Sequence, residues 1–373
     1  MIQALQLRNF RNFSNSVVHF SPKVNILLGE NGQGKTNLLE ALYVLTTGSS
    51  FRYADNENLL MKDQPEAFLK AKMLLGSLDF ELQLNILKSR KNHLLNGKKT
   101  SALELSKKFP NVIFSPESLS AIKEGADQRR QLVDELSVSF HPHNADLVSD
   151  FRRALKTRNK ILKNHLSGDS TSRETEELLE SLNPSFFKLA VDLSFQRLEA
   201  LRAIYPEFNN AMQYICRNKN VDISVDYVIS GEHALGFSKE DIDFSLRKRS
   251  LELHSAELHS GSSLVGPQKH DVIFLYDGND SRFYCSQGQQ RALILSFKMS
   301  QIVYHRQIHG TYPLLMLDDV LSELDAEKRD SLIRFLGDIN TQIFITTTDF
   351  SLPSSMKSED CAVLKVREGQ IGN

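Results

Sequence analysis

The stretch Val24-Asn-Ile-Leu-Leu-Gly-Glu-Asn-Gly-Gln-Gly-Lys-Thr36 decides the fold of this chain. Its first five residues are a short apolar run, which predicts a buried strand. A glycine-rich turn follows, and residues 37–45 are apolar at helical spacing. Strand, turn and helix in this order form the context in which a G-x-x-x-x-G-K-[ST] sequence binds phosphate. The stretch therefore predicts a P-loop.

The types of residue in this loop suit the binding of a nucleotide. Glycines let backbone N–H groups face phosphate oxygens, and the start of the following helix adds partial positive charge. Lys35 would reach the β- and γ-phosphates of ATP, and the Thr36 hydroxyl would bind Mg²⁺. The predicted nucleotide-binding residues of the loop are Gly29, Glu30, Asn31, Gly32, Gln33, Gly34, Lys35 and Thr36. A chance match in an ordinary turn is disfavoured by the flanking strand and helix.

A second apolar run, Leu314-Leu-Met-Leu317, ends in two carboxylates. Its continuity predicts a parallel strand covered on both faces. Asp318 would bind Mg²⁺, directly or through water, and Asp319 would polarise the attacking water. With Lys35, these are the predicted catalytic residues, and Thr36 and Asp318 are the predicted metal ligands. Two acids that merely cap a strand end are the alternative. Because Asp is one methylene shorter than the Glu common at this position, we expect slow turnover.

The segment Ser286-Gln-Gly-Gln-Gln290 precedes a helical pattern and is typical of an ABC signature motif. Ser286 suits a helix N-cap, and Gly288 permits close approach of another backbone. The helix start favours an anion, here the γ-phosphate held by a second copy of the chain. Ser322-Glu-Leu-Asp325 has the position of a D-loop. The alternative is a helix cap at Ser322 with Asp325 nearby, and both interpretations can be true together. Further predicted nucleotide contacts are Ser286, Gly288, Gln289, Asp325 and Thr347.

Thr347 follows a predicted buried strand, Gln342-Ile-Phe-Ile-Thr346, at a point where many ABC ATPases place a histidine that senses the γ-phosphate. A threonine hydroxyl would be a weaker, neutral donor. A polar strand end without this role is the alternative.

The distance between the motifs limits the architecture. Thr36 and Ser286 are 250 positions apart (286 − 36), far more than in transporter ATPases and too few for the very long coiled coil of SMC proteins. The insert contains two helical patterns, 151–163 and 174–204, which predict a short antiparallel arm. The fold class is α/β: a two-lobe ABC-type ATPase head with a P-loop β/α lobe and a mainly helical second lobe bearing this arm. We place the first lobe at 1–115 and 302–373 and the second at 116–301.

From end to end the chain resembles the RecF family, bacterial recombination-mediator ATPases of the SMC-like group. The segments that carry the resemblance are Leu7–Phe13, the P-loop, Phe114–Glu117, Arg129–Asp134, Leu155–Asn159, Ser286–Gln290 and Asp318-Asp319. One position departs, since Gln268 stands where a histidine is expected. The resemblance implies ATP-dependent homodimerisation and slow, DNA-dependent ATP hydrolysis. It also implies binding to single-stranded, gapped and junction DNA, with RecO and RecR as partners in loading RecA, and roles in replication, gap repair and SOS induction. It further implies that Glu117 or its neighbours lie close to Mg²⁺.

Bulk properties add few constraints. The 373 residues have a formal net charge of −1, so any DNA-binding face must come from local clusters. Three cysteines without a CxxC pair favour neither zinc nor disulfides and fit the cytoplasm, and no apolar run is long enough to span a bilayer. The candidate clusters are Lys88, Arg90, Lys91, Lys98 and Lys99 on a hairpin turning at Asn96-Gly97; Arg152, Arg153, Lys156, Arg158, Lys160 and Lys163 on the arm; and Arg247, Lys248 and Arg249. The alternative function is an ATPase switch that acts on a protein target.

Overall fold

The structure, a computed structural model, describes residues 1–52, 54–218, 220–348 and 361–372. It divides into two compact units. The first comprises Met1–Leu119, Tyr214–Arg217 and His305–Asn373, and the second comprises Ser120–Gln213 and Asn218–Tyr304. The chain therefore passes from one unit to the other mainly after Leu119 and after Tyr304. The sequence analysis placed these two boundaries after residues 115 and 301.

The first unit contains two six-stranded sheets, with the orders β2-β1-β4-β5-β6-β7 and β16-β15-β3-β14-β13-β8. The strands of the first sheet are antiparallel; in the second, all neighbours are parallel except β15 and β16. The strands are β1 (Ile2–Phe10), β2 (Phe13–His19), β3 (Val24–Leu28), β4 (Glu66–Leu75), β5 (Leu78–Leu87), β6 (Lys91–Leu95), β7 (Lys98–Thr100), β8 (Asn111–Phe114), β13 (Leu314–Leu317), β14 (Ile343–Thr347), β15 (Cys361–Arg367) and β16 (Gln370–Gly372).

One helix, α1 (Lys35–Thr47), occupies the core of this unit. Its residues 38–46 are all buried, and all of them except Glu40 and Thr46 belong to one apolar cluster with residues of both sheets. A helix that is covered on all sides needs apolar residues around its whole circumference, which explains its weakly amphipathic sequence. The other helices of the unit are α2 (Asn56–Leu59), α3 (Ala102–Lys108), α4 (Pro116–Leu119) and α11 (Ala326–Gly337), with a 3₁₀ turn at Val320–Glu323.

The parallel sheet brings the predicted motifs to one edge. Strand β14 lies between β3 and β13, so the P-loop strand and the carboxylate strand are separated by a single strand. The carboxyl ends of parallel strands meet at one edge of a sheet, which is where ligands bind in such folds. The P-loop after β3, Asp318 after β13 and Thr347 at the end of β14 therefore converge.

The second unit is mainly helical, as predicted. Its helices are α5 (Ala126–Phe140), α6 (Asn144–Leu166), α7 (Ser172–Cys216), α8 (Lys239–Ser260), α9 (Ser281–Tyr284) and α10 (Gln287–His309), with a 3₁₀ turn at Pro267–Lys269. The last residues of α7 and α10 belong to the first unit. Helices α6 and α7 form the two predicted segments of the arm, extended at their ends. A four-stranded antiparallel sheet, which the sequence analysis missed, completes the unit: β9 (Ile223–Ile229), β10 (Glu232–His233), β11 (Asp271–Tyr276) and β12 (Asn279–Asp280).

Arg158, which the sequence analysis placed in the candidate DNA-binding cluster of the arm, is buried. Its side chain is only 1% exposed and forms two hydrogen bonds of 2.8 Å with the carboxylate of Glu257. It also donates to the Ser263 hydroxyl at 2.7 Å. A buried guanidinium is stable only when its donors are satisfied, and here they tie α6 to α8. Arg158 therefore belongs to the interior, while the other arm cations face solvent.

The predicted hairpin at Asn96-Gly97 is present, with both residues in the left-handed region. Its basic residues do not form one cluster, because Lys88, Arg90 and Lys91 lie at the opposite end of β6 from Lys98 and Lys99.

No helix among the described residues has the length and apolar character needed to cross a membrane.

Candidate nucleotide-binding site

The P-loop has a backbone that only glycine accommodates at several positions. Gly34, the N-cap of α1, has φ 115°, and a Cβ there would lie 2.5 Å from the Asn12 side chain. A Cβ at Gly29 would lie 2.3 Å from the carbonyl oxygen of Val366. Gly32, at φ 81°, has open space around it. The loop therefore passes close to its neighbours and leaves its outer rim, with Glu30 and Asn31, exposed.

Lys35 is buried within its own loop. Its ammonium donates to the carbonyl oxygens of Gly29 at 2.7 Å and Glu30 at 2.8 Å. Burial lowers the pKa of Lys35, while the charges of Asp319 and Asp318 oppose this change. The cation thus stands beside the carboxylates at the mouth of the loop, where phosphate oxygens could replace the two carbonyls as its partners.

The carboxylate of Asp318 joins the P-loop to the neighbouring strands. Its Oδ1 accepts hydrogen bonds of 2.9 Å from the hydroxyls of Thr36 and Thr346. Asp318 is 4% exposed, and burial raises its pKa above the ordinary 3.8, a change that the two hydroxyls oppose and that Glu117 and Asp319 reinforce. The side chain is therefore a desolvated anion that a cation would stabilise.

These oxygens fit Mg²⁺ bound together with a nucleotide. The Thr36 hydroxyl and the Asp318 carboxylate are adjacent, and Glu117 is close enough to raise the pKa of Asp318. No group of three or more His, Cys, Asp or Glu side chains in the described ranges could hold a metal by itself. Mg²⁺ in nucleotide sites is usually held by one or two carboxylates plus phosphates and water, so this donor set is sufficient only when phosphate is present.

The backbone conformation of Asp319 favours an Asp or Asn at this position. Its φ of 50° is left-handed, a region that Asp and Asn enter more readily than most residues. Its N–H donates to the Thr346 hydroxyl at 2.8 Å, and Ser322 donates to its carboxylate at 2.9 Å. This conformation offers a physical reason for Asp where Glu is common. Asp319 is half-buried, so water can reach its carboxylate.

The signature segment, which lies in the second unit, forms a reciprocal helix cap. The Ser286 hydroxyl accepts from the Gln289 N–H at 3.2 Å, and the Gln289 side chain accepts from the Ser286 N–H at 2.8 Å. A Cβ on Gly288 would meet nothing within 4 Å. The monomer therefore does not require glycine at this exposed position, whereas close approach of a second chain would.

Asp325 and Thr347 have structural roles of their own. Asp325 caps α11 by accepting from the Lys328 N–H at 3.0 Å, so a helix cap is present at Asp325 and not at Ser322 as expected, and the D-loop role stays a prediction. The Thr347 carbonyl accepts from the Gly29 N–H at 3.3 Å, which joins β14 to the P-loop. The hydroxyl that contacts the Asp318 carboxylate is that of Thr346, one residue earlier than the predicted γ-phosphate sensor.

A second group that the sequence analysis missed supports the P-loop from outside. The Gln33 carbonyl accepts from the Asn12 side chain at 3.0 Å and from the Gly369 N–H at 3.1 Å. The Gln33 side chain accepts from the Glu368 N–H at 2.8 Å. Asn12 lies in the segment Leu7–Phe13, whose family resemblance was the sequence signal that could have identified it.

Gln268, at the position expected to be His, donates to the Val265 carbonyl at 2.8 Å.

The basic clusters differ in how far acids neutralise them. Arg247 pairs with Asp243 and Arg249 with Glu252, and Lys88 pairs with Glu57. On α6, Arg153 pairs with Asp150. The remaining exposed cations of α6 form no ion pair with any described residue: Arg152, Lys156, Lys160 and Lys163. Their spacing puts them on one face of the helix.

Comparisons with known proteins agree with this geometry. The family model described as RecF/RecN/SMC N terminal domain matches residues 1–371. A DNA replication and repair protein RecF of Heliobacterium modesticaldum is 33% identical over 375 aligned residues, covering 99% of this chain and 98% of that protein. The solved structure of a recombination mediator protein RecF with ATP, from the RecFOR pathway, superposes with a TM-score of 0.87 at 28% identity, covering 100% of this chain and 96% of that one. An Smc head domain of Pyrococcus furiosus shares the fold, at a TM-score of 0.53 and 14% identity over 99% of this chain and 94% of that one.

Proposed function

Because this chain belongs to the RecF/RecN/SMC N-terminal domain family, and within it to the RecF proteins, we propose that it is an ATP-controlled clamp that acts on DNA. The observation that carries the proposal is the contact of 2.9 Å between the Thr36 hydroxyl of the P-loop and the Asp318 carboxylate of the neighbouring strand motif. Such a contact would unite the two halves of a nucleoside-triphosphate site.

Each residue of the site would have a defined task in ATP binding and hydrolysis. The P-loop N–H groups and Lys35 would hold the phosphates, and Thr36 and Asp318 would hold Mg²⁺. Bound Mg²⁺ would neutralise charge on the β- and γ-phosphate oxygens. Asp319 would accept a hydrogen bond from the attacking water and so orient it, and Ser322 keeps its carboxylate in place. The short Asp319 side chain supports slow hydrolysis that works as a switch.

The signature segment supports an ATP-dependent homodimer. Ser286 and Gly288 are exposed at the start of a helix of 23 residues, where backbone N–H groups favour an anion. In the dimer they would contact the γ-phosphate held by the second copy, so each site would be complete only across the interface. Loss of that phosphate would release the dimer.

The arm stripe, defined as Arg152, Lys156, Lys160 and Lys163, is the surface that best fits DNA phosphates. It spans about 16 Å along α6 at 1.5 Å per residue, comparable to about five phosphates of one strand at 3.4 Å spacing. The other clusters are split or partly neutralised by acids, as described above. Contacts to phosphate alone would give salt-sensitive binding without sequence preference.

In the cell, this clamp would act in the cytoplasm on single-stranded, gapped and junction DNA in replication and recombinational gap repair. RecR and RecO would be its partners in loading RecA, with SOS induction as a consequence. An ATPase switch that acts on a protein target remains the second candidate, favoured only by the net charge of −1.

Fluorescence anisotropy of gapped, duplex and single-stranded DNA tests the proposal, with and without ATP and at two salt concentrations. We expect ATP-dependent, salt-sensitive binding with a preference for gaps. Reversing Lys156 and Lys160 to Glu should reduce affinity at least about tenfold and flatten the salt dependence. The matched control reverses Arg247 and Arg249, which carry the same charge but are neutralised locally. Absence of DNA binding in both nucleotide states would favour the protein-directed switch.

A further inference from the structure

Two exposed aromatic residues stand directly before the signature segment. Phe283 and Tyr284 are 77% and 75% exposed, and only Cys285 separates them from Ser286. Aromatic side chains of this size bury about 150–250 Å² each when they are covered, and they are enriched at protein interfaces. The pair therefore presents a considerable apolar area that the monomer leaves in water.

The turn that carries the pair is fixed by buried and half-buried polar contacts. Asp280 caps the short helix α9, and Arg282 donates to Asp280 at 2.6 Å and to Asp271 at 2.9 Å. Arg129 approaches the same Asp271 carboxylate with two hydrogen bonds of 3.0 Å. The rings are thus presented on an anchored backbone, which reduces the entropy that binding would cost.

A further hydrogen bond joins this turn to the signature helix. The side chain of Gln290, the last residue of the signature segment, donates to the Ser281 carbonyl at 2.6 Å. The aromatic turn and the signature segment are therefore held as one piece. Two extended residues span at most about 7 Å, so the Tyr284 backbone lies within that distance of Ser286.

The chemistry of the turn favours a protein surface over nucleic acid. The Arg282 guanidinium lies 5.4 Å from the centre of the Phe283 ring, and each of its three nitrogens already donates to Asp280 or Asp271. These two carboxylates offset its positive charge, which weakens its attraction for a phosphate of the DNA backbone. Two rings beside a neutralised guanidinium fit a partly apolar protein face.

We propose that Phe283 and Tyr284 are apolar anchors of the ATP-bound homodimer and become buried against a second copy of this chain, beside its P-loop. The inference rests on the proposed function, because Ser286 can contact the second copy's γ-phosphate only if the adjoining turn also reaches that copy. It adds to that function two residues that belong to no nucleotide motif.

A single tryptophan can report this burial, since the chain contains none. Acrylamide quenching of the Tyr284→Trp variant would be measured without nucleotide and with ATP, with sedimentation on the same samples. The matched control is Phe244→Trp, on α8, where the native ring is 70% exposed. We expect ATP to reduce quenching at least threefold at position 284 and to leave it unchanged at position 244. A dimer in which position 284 remains as accessible as in the monomer would overturn the inference and leave the proposed function standing.

A double variant, Phe283→Ala with Tyr284→Ala, provides the second arm. The ATP-dependent dimer should dissociate about 30-fold more readily, the loss typical of interface hot spots, while the monomer keeps its affinity for ATP. Dimerisation within twofold of wild type would contradict the inference. If wild type itself stays monomeric at saturating ATP, the proposed function fails first and the inference fails with it.

Discussion

Thr346→Val tests whether one hydroxyl positions both Asp318 and Asp319. The hydroxyl donates to Asp318 at 2.9 Å and accepts from the Asp319 N–H at 2.8 Å. Valine has nearly the same shape, so both hydrogen bonds are lost without a cavity. A bond to a charged group contributes about 1.5–3 kcal/mol and a neutral one about 0.5–1.5 kcal/mol. The apparent free energy of unfolding should therefore decrease by about 2–4.5 kcal/mol in urea titrations.

The same variant should weaken binding of ATP with Mg²⁺. Losing a donor raises the pKa of Asp318 beyond the increase that burial already causes. The carboxylate then begins to take up a proton at a higher pH, so metal-dependent affinity should fall sooner than in wild type as pH decreases. Calorimetric titration with ATP, with and without Mg²⁺, across a pH series measures this effect.

Thr346→Ser is the matched control, because it keeps the hydroxyl and loses only a methyl group. It should remain within about 1 kcal/mol of wild type and keep the pH profile. If the valine variant matches the serine variant in both stability and metal-dependent affinity, the role assigned to this hydroxyl is wrong.

The remaining predictions concern the charged residues of the site. Asp318→Asn should raise the midpoint of thermal unfolding of the nucleotide-free protein at neutral pH while abolishing Mg²⁺-dependent ATP affinity. The sign follows from the raised pKa: the folded protein holds this proton more tightly than the unfolded chain, so the ionised group costs stability above that pKa; an unfolding midpoint below that of wild type would contradict it. Asp319→Asn keeps a residue suited to φ 50° and should trap the ATP-bound dimer on DNA; faster dissociation from DNA than wild type in stopped-flow anisotropy would count against its role. Lys35→Met should abolish ATP-driven dimerisation in light scattering, and a dimer that still forms with ATP would show that the P-loop assignment is wrong.

One physical reason explains why the sequence could predict the P-loop and the two carboxylates of the candidate site. The roles proposed for Gly29–Thr36 and Asp318-Asp319 depend on residue type at fixed local spacing, next to apolar runs that define strands. Their meeting at one sheet edge follows from the parallel arrangement, so the contact between Thr36 and Asp318 could be anticipated.

For the residues that the sequence analysis missed or misplaced, the position and the burial of the side chain depend on tertiary contacts. Thr346 and Thr347 are adjacent and chemically identical, and only the register of β14 decides which hydroxyl contacts Asp318. Arg158 sits within a basic helix, and its burial depends on Glu257, 99 positions away. Short strands such as β10 and β12, of two residues each, have too few side chains to produce a pattern.

The most direct test of a composite, ATP-dependent dimer site is sedimentation of wild type and Ser286→Arg at equal, saturating occupancy by ATP. Ser286→Ala controls for loss of the helix cap without added bulk. The account predicts that wild type doubles its mass with ATP, while the arginine variant binds ATP and remains monomeric. A wild type that stays monomeric, or an arginine variant that dimerises as well as wild type, would contradict it.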